Sequence, residues 1–250
     1  MGNKFMIFAL TRTGSTTLMR ILNLQKCLRC AHEPFNPDVR YYRLDSQVNT
    51  EDELSRAMET IYEDYDGIKH TWNFRGWPFM WMPQLNKLIL LKAGKIVFLT
   101  RKNILQRIVS SEISMQTKIW HLPDLSEKSQ ISKFEFKPLN AERIKWLLMN
   151  ENIFLTEWRT YIKENKLDYM ELSYEDIYSD RLNSAEKCST LDNLFSFLGY
   201  PGIETLPYDQ LENLLAIDNK MSPAEIYRQI PEIEKIDREF GSDETGWLFH

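Results

Sequence analysis

Residues 4–24, KFMIFALTRTGSTTLMRILNL, decide the fold. Lys4 to Leu10 is apolar on both faces, as a strand in the middle of a parallel sheet must be. Thr11 to Ser15 is a polar turn holding Gly14, and Thr16 to Leu24 reads as a helix with Leu18, Ile21 and Leu22 on one side. Strand, loop and helix in that order open an α/β domain. The loop Thr11-Arg12-Thr13-Gly14-Ser15-Thr16-Thr17 carries the chemistry. Its glycine lets the backbone curl so that successive N–H groups point inward beside a helix N-terminus. Ser15, Thr16 and Thr17 add hydroxyl donors and Arg12 a planar charged fork. That set suits a phosphate or similar tetrahedral anion. An ordinary capped strand-to-helix turn is the other reading of the same residues.

Outward from the loop, Thr50 to Tyr65 reads as an acidic amphipathic helix, with Thr50 and Glu53 spaced as a capping box. Gly67 to His70 suits a short strand, and Trp72, Phe74, Trp77, Phe79 and Trp81 cluster after it. Gln84 to Ala93 is helical and stops at Gly94. Lys95 to Thr100 is a second buried strand, running into Arg101 and a helix from Asn103 to Trp120. A long helix covers Asn140 to Asn165, a third strand Leu167 to Leu172, and a helix Ser189 to Leu198 closing at Gly199. Leu122 to Pro138 is polar and irregular, a mobile loop suited to gating an acceptor. Residues 200–250 read as an irregular C-terminal segment packing on the nucleotide side. No linker divides the chain. The alternation predicts one α/β domain over residues 1–250, a central parallel sheet with helices on both faces.

Composition narrows the function. In 250 residues, 43% hydrophobic and 27% charged side chains fit a soluble globular chain with an ample core. Lys and Arg number 31 against 36 Asp and Glu, and the net charge of -5 argues against a general nucleic-acid binder. A local basic pocket is still compatible with that total. Phe5 to Leu10 is too short for a signal-peptide core or a membrane helix. Met1-Gly2 resembles a myristoylation start, but Met6 stands where Ser or Thr is expected. Three cysteines make no complete disulfide framework, and Cys27 with Cys30 lacks the second pair a zinc site wants. They read as reduced thiols on a helix end, in a reducing cytoplasm.

The identity of the anion can be argued further. A Walker-A loop needs a lysine after its second glycine to reach the β/γ-phosphates. Here there is one glycine and no lysine, and the cation precedes the glycine, which disfavours a magnesium-dependent kinase. A second anion position follows the strand Lys95 to Thr100. Arg101 leaves its end, where ligands of open α/β sheets bind, and Ser110 lies on the next helix with Lys102 and Arg107 nearby in sequence. A surface basic cluster beside a helix start is the competing reading. Two anion positions suggest a ligand with phosphates at both ends.

With those motifs the sequence resembles the sulfotransferases that use 3′-phosphoadenosine 5′-phosphosulfate (PAPS), most closely the bacterial carbohydrate-type branch with its Arg-Ser/Thr-Gly-Ser-Thr loop. The resemblance implies a P-loop-like fold and assigns Arg12, Thr13, Gly14, Ser15, Thr16 and Thr17 to the 5′-phosphosulfate. It assigns Arg101 and Ser110, within LTRKNILQRIVSSEIS, to the 3′-phosphate, although the spacing is one residue longer than in the cytosolic branch and leaves Ser111 open. Leu172-Ser173-Tyr174-Glu175-Asp176 is similar to a late segment near the nucleotide, which implicates Tyr174. The implied reaction moves a sulfuryl group to a hydroxyl of a small acceptor, a sugar or glycolipid among them, without a metal, and releases 3′-phosphoadenosine 5′-phosphate (PAP).

A neutral hydroxyl acceptor benefits from a general base. Ala31-His32-Glu33-Pro34-Phe35 resembles the carbohydrate-type branch's Glu-Pro segment and puts Glu33 first. His70, in Gly67-Ile68-Lys69-His70, stands second, where the cytosolic branch keeps a histidine, and His32 is a further candidate. A core histidine and a turn-capping glutamate are the plainer roles. A nucleotide kinase and a non-catalytic nucleotide-binding module are the competing functions.

Overall fold

Five parallel strands form one sheet in the order β2-β3-β1-β4-β5: β1 (Phe5–Leu10), β2 (Cys30–His32), β3 (Gly67–Trp72), β4 (Lys95–Thr100) and β5 (Tyr169–Ser173). The computed structural model describes residues 4–44, 47–120, 130–131, 133–216 and 224–249. Most of Leu122 to Pro138, all of Asn219 to Pro223, and Met1-Gly2 lie outside the described residues. Ten α-helices occur among the described residues: α1 (Ser15–Leu22), α2 (Glu51–Asp64), α3 (Leu85–Leu91), α4 (Ile104–Thr117), α5 (Ala141–Glu164), α6 (Tyr174–Tyr178), α7 (Ser184–Leu198), α8 (Tyr208–Leu215), α9 (Ala224–Tyr227) and α10 (Ile233–Phe240). The α/β class and central parallel sheet expected from the sequence are observed.

These elements gather into two compact units. One comprises the described residues of Met1–Thr100 and Trp158–Ala216 and holds the whole sheet. Its core follows from the pleat of β1. Phe5, Ile7 and Ala9 point to one face, where Leu18, Ile21 and Leu22 of α1 and Leu194 and Phe195 of α7 bury them. Phe8 points to the other, its ring stacked on Trp72 and Phe98 and edge-on to Trp158 at a centroid distance of 4.8 Å. Both faces of β1 are thus sealed, and its polar work is confined to its end. Because the chain leaves β1 toward β2 on one side and crosses to β4 on the other, that end lies at the sheet's switch point.

The second unit comprises the described residues of Arg101–Glu157 and Ile217–His250 and is helical. Arg107 of α4 and Glu151 of α5 form a buried two-pronged ion pair, Nε to Oε1 at 2.6 Å and Nη2 to Oε2, with Glu151 0% exposed. The tail closes against the start of α4. Asn103 caps that helix and donates to the Trp247 carbonyl at 2.8 Å, and Leu105 N donates to the Thr245 carbonyl at 2.9 Å.

Several boundaries differ from the sequence reading. β3 runs on to Trp72 because Thr71 and Trp72 pair with Ala9 and Leu10. Three-residue β2 is too short to show a period, and it places Cys30 in a strand and not on a helix end. α7 starts five residues before Ser189 because Asn183 and Glu186 form a capping box. Residues 200–250, read as irregular, contain α8, α9 and α10.

Removing Arg107 leaves the Glu151 carboxylate buried without its partner. Arg107→Ala should therefore cost about 3–5 kcal/mol, read from the urea midpoint, while Arg107→Met with Glu151→Leu should recover most of the loss.

Candidate active site

The loop after β1 is held in a shape its sequence alone would not choose. Gly14, the residue before α1, has φ +81°, and Arg12 adopts φ +69° without a glycine's freedom. Thr13 is buried and its Oγ1 donates to the Leu10 carbonyl at 2.8 Å, so its hydroxyl stitches the turn to β1. Tyr178 donates to the Gly14 carbonyl at 3.2 Å, and a methyl group at Gly14 would lie 2.6 Å from Tyr178 Cε2 and 3.0 Å from Tyr174 Cδ2. The two tyrosine rings, 4.9 Å apart, thus pack on the loop, which places Tyr174 beside Gly14. Ser15 is buried at the start of α1, and Thr16 and Thr17 are half-buried on its first turn. The first N–H groups of a helix have no partner within it and suit an anion.

Glu33 directly follows β2 and also has a left-handed backbone, φ +43°. Its carboxylate is 8% exposed and meets Lys69, on β3, with Nζ to Oε1 at 2.6 Å. Lys69 is 1% exposed, and its ammonium also donates to Thr16 Oγ1 at 2.8 Å and to His32 Nε2 at 3.2 Å. Three N–H donors therefore meet acceptors on α1, β2 and the turn after β2. Asn36 Nδ2 donates to the other Glu33 oxygen at 2.8 Å. Burial pushes the Glu33 carboxyl up, but the Lys69 charge and hydrogen bond, with Asn36, outweigh it and hold it at about 2. Burial and the Lys69 charge lower His32, so its ring is neutral and accepts.

Lys69 is the site residue that sequence reasoning missed. The signal was present: a lysine in an otherwise buried strand GIKHTW, opposite Ile7 in the register, needs a paired interior partner. The same register removes His70. Alternation turns its ring to the opposite face, beside Phe8 and Phe79, with Nε2 bonded to Asn86 Oδ1 at 2.8 Å. Burial lowers its pKa to about 4, and at 1% exposure it is a core residue that the structure does not bring to the loop. Trp72 and Phe79 of the aromatic cluster are likewise buried in packing, whereas Trp81 is 80% exposed.

In the helical unit, Arg101 follows β4 in the chain and its Nη2 donates to Gln106 Oε1 at 2.9 Å. Gln106 also donates from Nε2 to the Trp247 carbonyl at 3.0 Å, which ties the tail to the residue beside Arg101. Ser110 is buried on α4, and Ser111 is half-buried. Among the described residues no cluster of three or more His, Cys, Asp or Glu is placed to hold a metal ion. None of the described helices is long and apolar enough to cross a membrane.

Residues 87–194 match the family model described as Stf0 sulphotransferase. That stretch, a little under half of the chain, is therefore similar to the sulphotransferases of this family. It covers most of α3, then β4, α4, α5, β5, α6 and most of α7, and therefore Arg101, Ser110 and Tyr174. Arg12, Glu33 and Lys69 precede it and rest on the geometry above. A search of curated proteins returns no match.

Two outcomes test this site. Gly14→Ala, strained at φ +81° and in collision with Tyr178, should cost about 1–3 kcal/mol in thermal unfolding of the protein. The depressed Glu33 contributes stability in full above its ordinary value of 4.5 and loses it as pH falls toward about 2. Glu33→Gln should flatten that acid limb, read from urea midpoints at pH 6, 4 and 3.

Proposed function

We propose that the protein transfers a sulfuryl group from PAPS to a hydroxyl of a small acceptor, a sugar or glycolipid, within one functional domain and in the cytoplasm. The observation that carries this reading is the Arg12 to Thr17 loop: Arg12 and Gly14 have left-handed backbone, and the loop runs straight into the N-terminus of α1 with Thr16 on its first turn. Those residues fit the 5′-phosphosulfate. The donor supplies an activated sulfur whose bond to the 5′-phosphate oxygen breaks in the reaction. Arg12 and the loop amides meet the negative charge that gathers on the departing phosphate. Arg101 and Ser110 take the 3′-phosphate, and Tyr174 supports the loop from beneath Gly14.

Positioning and charge stabilisation supply most of the rate in this scheme, and no metal is required. Glu33 serves as the general base, since its carboxylate is ionised and stands at the loop through the shared Lys69 ammonium. Trp81, the exposed aromatic of the cluster beyond β3, gives an acceptor a ring to pack on.

Calorimetry with PAP in magnesium-free buffer, with AMP and ATP as controls, should give tight binding that depends on the 3′-phosphate. Magnesium-dependent ATP binding without PAP binding would overturn the reading. With PAPS as donor, Arg12→Ala should reduce turnover more than it weakens PAP binding, whereas Arg101→Ala should weaken PAP binding itself. Equal, negligible effects from both would remove these residues from the site.

A further inference from the structure

Lys69 holds the base and the donor loop with one ammonium group. Its three protons are all committed, to Glu33 Oε1 at 2.6 Å, Thr16 Oγ1 at 2.8 Å and His32 Nε2 at 3.2 Å. We propose that Lys69 is a positioning residue that masks Glu33 until a sulfuryl donor occupies the loop, the donor's anionic oxygens then drawing the ammonium toward Thr16 and releasing the carboxylate. The inference rests on the PAPS-dependent reading above.

The argument is one of competition within a buried site. Thr16 lies on the first turn of α1, where the loop amides gather an anion, and accepting from Lys69 leaves its own O–H proton for that anion. A sulfonate and phosphate arriving there bring several negative oxygens within reach of a cation that now has one carboxylate to itself. Coulomb attraction in a buried site is strong enough for the nearer or larger charge to recruit the ammonium. The remaining groups do not hold it back. His32 is neutral, Arg12 on the loop and Arg20 of α1 are cations, Cys30 is a buried thiol pushed far up by desolvation, and Asn36 is uncharged.

Release changes what Glu33 can do. Paired, it is held at about 2 and is a poor acceptor for a hydroxyl proton. Burial alone pushes it the other way, so loss of the Lys69 contact raises its basicity when the donor is in place. The transfer then balances: the acceptor oxygen's lone pair forms the new O–S bond, the S–O bond to the 5′-phosphate breaks with its electron pair staying on the phosphate, and the hydroxyl proton moves to Glu33.

The test is a carboxyl-carbon NMR titration of the whole protein labelled at glutamate, with the Glu33 resonance assigned through Glu33→Gln. Without donor, Glu33 should stay ionised down to acid unfolding. With saturating PAPS and no acceptor, its midpoint should rise to 4.5 or above, and Asn36→Ala should show the same donor-dependent rise. Lys69→Met should titrate at 4.5 or above with or without PAPS. The wild-type comparison needs no variant, so it decides the matter even where Lys69→Met fails to fold. PAPS binding by calorimetry with an unmoved Glu33 midpoint overturns the mask while leaving the donor assignment intact. Absence of PAPS binding overturns both.

Discussion

A buried ammonium organises the sheet-bearing unit of this protein. Lys69 sits in a strand that is otherwise sealed, and an unpaired charge there would be expelled or neutralised. Its protons are satisfied only if α1, β2 and the turn carrying Glu33 converge on β3. None of these elements is long: β2 has three residues and α1 eight. Apolar packing brings them to the same face, and the lysine sets how they meet there. Glu33 is fixed on one side of the ammonium and the second residue of α1 on the other. Glu33 and the loop after β1 therefore share one electrostatic centre.

The parts of the fold legible in the sequence were those with a period or a cap. Phe5–Leu10 and Lys95–Thr100 announce themselves as doubly buried strands, and Thr50 with Glu53 forms the capping box their spacing predicts. What escaped were features decided by partners distant in sequence. β2 is a strand only because β3 lies beside it, and β3 gains Thr71 and Trp72 only because β1 continues that far. The Asn183–Glu186 box at the start of α7 was written in the sequence and overlooked, since the apolar period is clear only from Leu191 onward.

The candidate site divides in the same way. The Arg12 to Thr17 loop was singled out from residue types at a strand end, and Glu33 from its resemblance to a Glu-Pro segment. His70 was misjudged because a strand's alternation decides its face, and Lys69, one residue earlier, takes the side toward Glu33. The resemblance placed Thr13 among the residues that hold the 5′-phosphosulfate, yet its Oγ1 is spent on the Leu10 carbonyl. A loop's sequence names the donors available to it; hydrogen bonds to the strand behind decide which of them face a ligand.

Backbone strain gives an independent line to the same residues. Among the described residues five non-glycine residues have positive φ: Arg12, Glu33, Lys118, Lys166 and Glu232. Lys118 and Glu232 cap α4 and α10, and Lys166 lies just beyond α5, where left-handed residues are common companions of helix ends. Arg12 and Glu33 end no helix. Each lies just beyond a strand, Glu33 paired with Lys69 and Arg12 near enough for its charge to act on that ammonium, and each costs roughly 1–2 kcal/mol that a glycine would spare. A glycine there would carry neither the guanidinium nor the carboxylate. Retaining a strained side chain where relaxation needs only the loss of that side chain is sensible when the charge itself is what the position supplies. The strain therefore supports Arg12 and Glu33 as functional groups on grounds that owe nothing to their resemblance to any family.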